Sequence, residues 1–123
     1  MKRVIVAVDS FKGSLTSAEA NLAVESGINA LYPECDVKKV SVADGGEGTT
    51  AAIIETLSGE WREVEVHDPL MRAIKAKYGI INGGKCAVIE VASASGLTLL
   101  SNNERDPLKS SSYGFGEMID DAI

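Results

Sequence analysis

DVKKVSVADGGEGTTAAIIETLSG, residues 36–59, changes texture twice along its length. DVKKVSVAD (36–44) alternates in part between apolar and polar positions, as a strand does, and GTTAAIIETLSG (48–59) reads as a helix closed by Gly59. Between them, Asp44, Gly45, Gly46, Glu47 and Gly48 set two carboxylates on a backbone whose glycines allow close approach to a ligand. Upstream, VIVAV (4–8) is a continuous apolar, β-branched run that stops at Asp9 and Ser10, the pattern of a strand buried on both faces. After the loop DSFKGSL, Thr16 and Glu19 have capping-box spacing. Leu22, Ala23, Ile28 and Leu31 then recur at helical intervals before Pro33, which predicts a helix over 17–31. Strand, helix, strand, helix in this order implies an α/β sheet with parallel strands and right-handed crossovers. Ligands of such sheets collect beyond the carboxyl ends of the strands, where Asp9 and Asp44 both fall.

From Trp61 the pattern differs. WREVEVHDPL, AIKAKYGII and KCAVIEVAS are strand-like runs, the last two joined by Asn82, Gly83 and Gly84, a hairpin signal. Three strands without long helices between them predict an antiparallel sheet, and hence a division into a first lobe over 1–59 and the start of a second, α+β lobe over 60–123. The closing run YGFGEMIDDAI begins a helix whose last residues include Asp120 and Asp121, at the end of the dipole that disfavours acids, with no capping glycine. A chain that breaks off inside a longer protein is the expectation.

The chain has 123 residues, 45% hydrophobic and 24% charged, which is globular composition. Its formal charge of −6 leaves no electrostatic footprint for nucleic acid. The apolar runs fall short of the roughly 20 residues a membrane span needs, and the N-terminus meets Asp9 too early for a signal-peptide core, so a cytoplasmic protein is expected. Cys35 and Cys86 form no C-x-x-C pattern and His67 is the lone histidine, so buried or half-buried thiols are expected rather than a disulfide or zinc site. Tyr32, Trp61 and Tyr78, scattered singly, are read as packing residues.

The candidate chemistry lies in the loops. Asp9, Ser10, Lys12 and Ser14 follow the first strand; Lys12 suits a phosphate or carboxylate, and both serines can donate to the same anion. Thr16 and the helix start behind it would add N–H groups. The competing reading is a connector whose Asp and Ser cap turns, and the loop carries no Walker pattern. Asp44 and Glu47 could hold magnesium, or one could be a general base, with Gly45 and Gly46 bringing the backbone close. The same stretch would also serve as a plain strand-to-helix joint. Glu90, an acid at the end of an apolar strand, is expected to be paired or to face a cleft. Arg105 and Ser111 precede the last helix and suit an anion; the alternative is a surface Arg105–Asp106 pair and a capping serine. His67, beside Asp68 and Pro69, reads as a polar turn.

In order along the chain, VDSFKGSLTSAEA, VADGGEGT, DPL, IEVASASGL and RDPLKSSSYGFGE give a combination that resembles the type-1 glycerate kinases of bacteria over essentially the whole sequence. The resemblance implies a two-lobed α/β enzyme about three times this length, with a Rossmann-like parallel-sheet lobe, that transfers the γ-phosphoryl group of ATP to a hydroxyl of D-glycerate with Mg2+. A further glycine-rich segment would follow Ile123, and the 123 residues alone would be inactive. The resemblance marks Asp9, Lys12 and Asp44 as catalytic candidates, Asp44 and Glu47 as metal candidates, and Ser10, Ser14, Gly45, Gly46, Arg105 and Ser111 as substrate-binding candidates. The rival is a phosphoacceptor or nucleotide-sensing module, which would want clustered acids after the first strand and a second lysine at a later strand end.

Overall fold

The computed structural model describes residues 3–11 and 13–123. The chain divides into two compact units, Met1–Ala52 and Ile53–Ile123. A parallel sheet lies in the first and an antiparallel sheet in the second, a mixed α/β architecture.

In the first unit, β1 (Arg3–Val6) pairs in parallel with β2 (Asp36–Lys39), with Val6 opposite Lys39, and α1 (Ser17–Leu31) crosses between them. The crossover starts where the sequence predicts. Thr16 Oγ1 accepts the Glu19 amide while the Glu19 carboxylate accepts the Thr16 amide, closing the capping box. Thr16→Ala is expected to cost about 1 kcal/mol of stability; an unchanged denaturation midpoint would contradict the cap's role.

Two expectations are corrected here. β1 ends at Val6, and Ile5 is 65% exposed, so the strand is not buried on both faces. β2 ends at Lys39, well before Asp44, after a last backbone bond from the Val40 amide to the Val6 carbonyl. The buried residues of α1 are Ala20 and Asn21, while Leu22 and Leu31, two of the residues whose spacing predicts the helix, face outward.

The second unit is built on β3 (Glu60–His67), β4 (Ala73–Ile81) and β5 (Cys86–Val88), an antiparallel meander in which Ile81 pairs with Cys86 across the turn. Asn82, Gly83 and Gly84 all have positive φ there, as the hairpin signal requires. The short α3 (Ala92–Ser95) and α4 (Tyr113–Ala122) pack on the sheet, and Val66, Ala76, Tyr78, Ala94 and Met118 form the core. Tyr78 is a packing residue as expected, whereas Trp61 and Tyr32 are exposed; Cys35 is a half-buried and Cys86 an exposed free thiol.

α2 (Thr49–Leu57) carries the division between the units. Its left-handed terminal residue is Ser58, at φ 52°, and not Gly59 as the sequence suggests. Gly59 is required by space instead: a Cβ there would lie 2.6 Å from Ile54 Cδ1 and 2.7 Å from the Ile80 carbonyl oxygen.

Two acids of α4, Glu117 and Asp121, have fixed partners. Tyr78 donates its hydroxyl to Asp121 Oδ2 at 2.7 Å, and Arg62 grips both Asp121 oxygens at 2.9 and 3.2 Å. Glu117 Oε2 accepts the His67 amide at 2.7 Å, and the His67 ring stands 2.9 Å from Oε1. The unfavourable helix dipole at Asp121 is thus opposed by a guanidinium and a phenol.

These contacts make the second unit acid-sensitive. The hydrogen bonds from Tyr78 and then Arg62 hold the Asp121 carboxyl below its ordinary value. At Glu117 burial pushes upward, but the hydrogen bonds from the His67 amide and ring outweigh it, and the carboxyl again lies low. A carboxylate lowered in the folded state stabilises fully above its unfolded pKa and loses that contribution as pH falls through the folded value. Stability should therefore be flat near neutrality and fall below about pH 4. Tyr78→Phe, which removes the leading cause at Asp121, should make that fall shallower in urea titrations; an unaltered acid limb would contradict the assignment.

Candidate functional site

In the first unit the two polar loops leave the same edge of the sheet, because β1 and β2 run parallel and end opposite one another. Two side chains of α1, the buried Asn21 and the half-buried Ser17, fix where each loop departs. Asn21, 1% exposed, accepts the Val8 amide through Oδ1 at 2.9 Å and donates Nδ2 to the Val40 carbonyl at 3.0 Å. Ser17 donates its hydroxyl to the Val8 carbonyl at 2.6 Å and accepts the Val42 amide at 3.2 Å. These bonds replace the sheet ladder beyond its last rung and hold the backbone leading into Asp9 and toward Asp44. Sequence reasoning missed both residues; the available signal was a polar residue beside Ala20 on a helix expected to cover a sheet.

In the first loop, Asp9, Ser10 and Ser14 are all exposed, and Asp9 Oδ1 accepts the Ser10 amide at 2.7 Å. Phe11 closes a tight turn: its amide donates to the Leu15 carbonyl and its own carbonyl accepts the amides of Ser14 and Leu15, with Gly13 at φ 74° inside it. Lys12 lies outside the described residues. The donors expected from the start of α1 are partly committed, since Thr16 and Glu19 satisfy each other.

In the second loop, Asp44 Oδ1 accepts the Gly46 amide at 3.0 Å, and the Gly46 and Gly48 carbonyls accept the Thr49 and Ala52 amides. Gly45 and Gly48, at φ 96° and 91°, hold left-handed conformations that side chains resist. Asp44, Gly45, Gly46 and Glu47 are exposed. At the start of α2, Thr49 Oγ1 is buried without a hydrogen-bond partner among the described residues, which fits a ligand group beside this loop. Among the described residues no group of three His, Cys, Asp or Glu is set to hold a metal ion. Mg2+ would be compatible with this donor set only in its usual manner, through one or two carboxylates with water and phosphate oxygens.

In the second unit, the turn between β3 and β4 organises the remaining candidates. Asp68 is 2% exposed; its Oδ1 accepts the amides of Leu70 and Arg72 at 2.8 and 2.9 Å, and its Oδ2 accepts Arg72 Nε. Burial alone would push this carboxyl up, but the bonds from the Arg72 amide and guanidinium and the Leu70 amide hold it below the usual range. Arg72 also donates to Glu104 Oε1 at 2.8 Å and to the Leu99 carbonyl at 3.2 Å. Ser111 donates its amide to the Pro69 carbonyl at 2.9 Å. The expected Arg105–Asp106 pair is not what forms: Arg105 is exposed and donates to the Leu97 carbonyl at 3.4 Å, while Asp106 pairs with Lys109. Ser111 Oγ accepts the Tyr113 amide, and the residue lines a shallow depression with Ser112, Tyr113, Gly116, Glu117 and Asp120. Glu90 is half-buried past the end of β5, and His67 is the last residue of β3 rather than a turn residue.

The parallel strand pair with its crossover helix makes this an α/β protein, and its two polar loops leave the carboxyl edge, where ligands of such sheets collect. The sequence matches the Glycerate kinase family over residues 4–123, and the chain belongs to that family. It is 42% identical over all 123 residues to a glycerate kinase of Halalkalibacterium halodurans, covering 32% of that protein. It is also 42% identical over 121 residues to the glycerate 2-kinase of Escherichia coli, covering 98% of this chain and 32% of the relative. A crystal structure from Salmonella typhimurium, of a protein put forward as a glycerate kinase 2, superposes with a TM-score of 0.74 at 41% identity, over 98% of this chain and 32% of that one. The chain thus spans about a third of the length of the curated relatives it matches.

Proposed function

We propose that the intact gene product transfers the γ-phosphoryl group of ATP to a hydroxyl of D-glycerate, with Mg2+, in the cytoplasm. The observation that carries this reading is the family match over residues 4–123, which takes in both polar loops. No helix among the described residues is long and apolar enough to cross a membrane.

Phosphoryl transfer asks for little covalent chemistry from a protein: it needs the acceptor hydroxyl positioned, its proton taken, and the charge of the transferred group neutralised. Asp44 is the first candidate for base or metal ligand, with Glu47 as its partner for the metal and Asp9 as the second candidate base. Asp44 already spends one carboxylate oxygen on the Gly46 amide, which orients the group at the surface of the loop. Lys12 and Arg105 supply cations for anionic oxygens of glycerate or phosphate. Ser10, Ser14 and Ser111 supply hydroxyls, and the small Gly45 and Gly46 let main chain reach the ligand. Bound Mg2+ would neutralise phosphate charge.

The test is ADP release by the intact gene product, with and without D-glycerate and with and without Mg2+. Release that requires both supports the reading. A phosphoacceptor or sensing module would show no dependence on glycerate.

A further inference from the structure

The segment that carries Arg105 is held at both ends by one turn. On its N-terminal side Arg72 reaches Glu104 and the Leu99 carbonyl; on its C-terminal side the Ser111 amide reaches the Pro69 carbonyl. Glu104 is itself braced, since its other oxygen accepts the amide and hydroxyl of Ser101 at 2.9 and 2.8 Å. Arg72 can span these acceptors because its guanidinium is a rigid fork, and the fork is aimed by the buried Asp68 carboxylate. Asp68 has its other oxygen, Oδ1, filled by the Leu70 and Arg72 amides of the same turn, so it has little freedom to rotate. The arrangement exceeds what closing a hairpin requires: a β3–β4 turn needs no arginine bonded to a segment some thirty residues further on, at Glu104.

We propose that Arg72, aimed by Asp68, is a positioning residue that sets the segment bearing Arg105 and Ser111 for the anionic end of the substrate. This rests on the reading of Arg105 and Ser111 as substrate-binding residues. Arg72 itself touches no reacting atom; it acts through Glu104 and the Leu99 carbonyl. Losing it frees the N-terminal end of the segment while the chemistry at the acceptor hydroxyl is left intact. The signature is therefore a rise in KM for D-glycerate with kcat preserved, because the interaction lost is one that binds ground state and transition state alike.

The experiment compares the intact gene product with Arg72→Ala, Arg72→Lys, Arg105→Ala and the Arg72→Ala/Arg105→Ala double variant, measuring kcat, KM for D-glycerate and Tm for each. Arg72→Ala should raise KM on the order of tenfold and leave kcat within about twofold. Arg72→Lys keeps the charge without the fork, is the milder change for folding, and should lie between the two. In the Arg105→Ala background, Arg72→Ala should add less than about twofold to KM, since the residue it positions is already gone. An unchanged KM in an active Arg72→Lys or Arg72→Ala enzyme, or KM effects that multiply in the double variant, would overturn the proposal and leave the kinase reading standing. An intact gene product with no D-glycerate phosphorylation at all would overturn both.

Discussion

Asp44→Asn in the intact gene product is expected to lower kcat for D-glycerate phosphorylation by at least about a hundredfold, the low end of what a positioned general base contributes. Asparagine keeps the side-chain oxygen that accepts the Gly46 amide, so the loop geometry survives and the change removes charge and basicity alone. This separates a chemical role from a structural one. If the carboxylate serves as a metal ligand, raising Mg2+ recovers part of the rate; if it serves as base, added metal does nothing. Glu47, three residues on and exposed, should respond to Glu47→Gln mainly through the Mg2+ requirement. An Asp44→Asn enzyme within about twofold of the parent would remove Asp44 from the site and leave Asp9 as the carboxylate to test.

Gly114→Ala is expected to have the largest effect on stability. Gly114 lies in the first turn of α4, where the helix crosses the end of β3, and a Cβ built there falls 1.8 Å from the His67 carbonyl oxygen and 3.3 Å from Ala94 Cβ. The oxygen is main chain at the end of a paired strand, so it cannot swing aside as a side-chain tip would. Relief requires α4 to lift from the sheet, which would stretch the His67 to Glu117 bonds and disturb Met118 in the core. A loss of about 3 kcal/mol or more is expected, at or beyond the upper end for overpacked cores. Gly116, one turn position away with open space around it, is the control. Gly116→Ala should stabilise by up to about 1 kcal/mol through helix propensity alone. Thermal unfolding followed by circular dichroism reads both, and equal responses at the two glycines would contradict the close crossing.

The local signals of the sequence were strong where they were chemical. Thr16 and Glu19 placed the start of α1 because a capping box depends on two side chains three residues apart, and Asn82, Gly83 and Gly84 placed a hairpin because a tight turn needs positive φ. What stayed hidden depended on partners distant in the chain. Leu22 and Leu31 recur at helical spacing yet face outward, since periodicity marks a helix face but not what lies against it. Gly59 stands where a helix cap belongs, yet its requirement comes from Ile54 and Ile80, and Ser58 takes the left-handed conformation. At the loops, the residue types of Asp44, Glu47 and Arg105 are legible, but the side chains that hold the backbone leading to each loop are not. Asn21, Ser17 and Arg72 look like ordinary helix and turn residues until Val8, Val40 and Glu104 are brought to them. Asp121 shows the same limit: an acid misplaced on its own helix is well placed once Tyr78 and Arg62 meet it.

The most direct measurement is the fate of the γ-phosphoryl group, followed by phosphorus NMR of ATP, Mg2+ and D-glycerate incubated with the intact gene product. The phosphoryl signal is expected to move from ATP to a phosphoglycerate, to do so only when D-glycerate is present, and to be suppressed by Asp44→Asn. ATP left intact, or converted to ADP and inorganic phosphate at the same rate whether or not D-glycerate is present, would contradict the kinase reading.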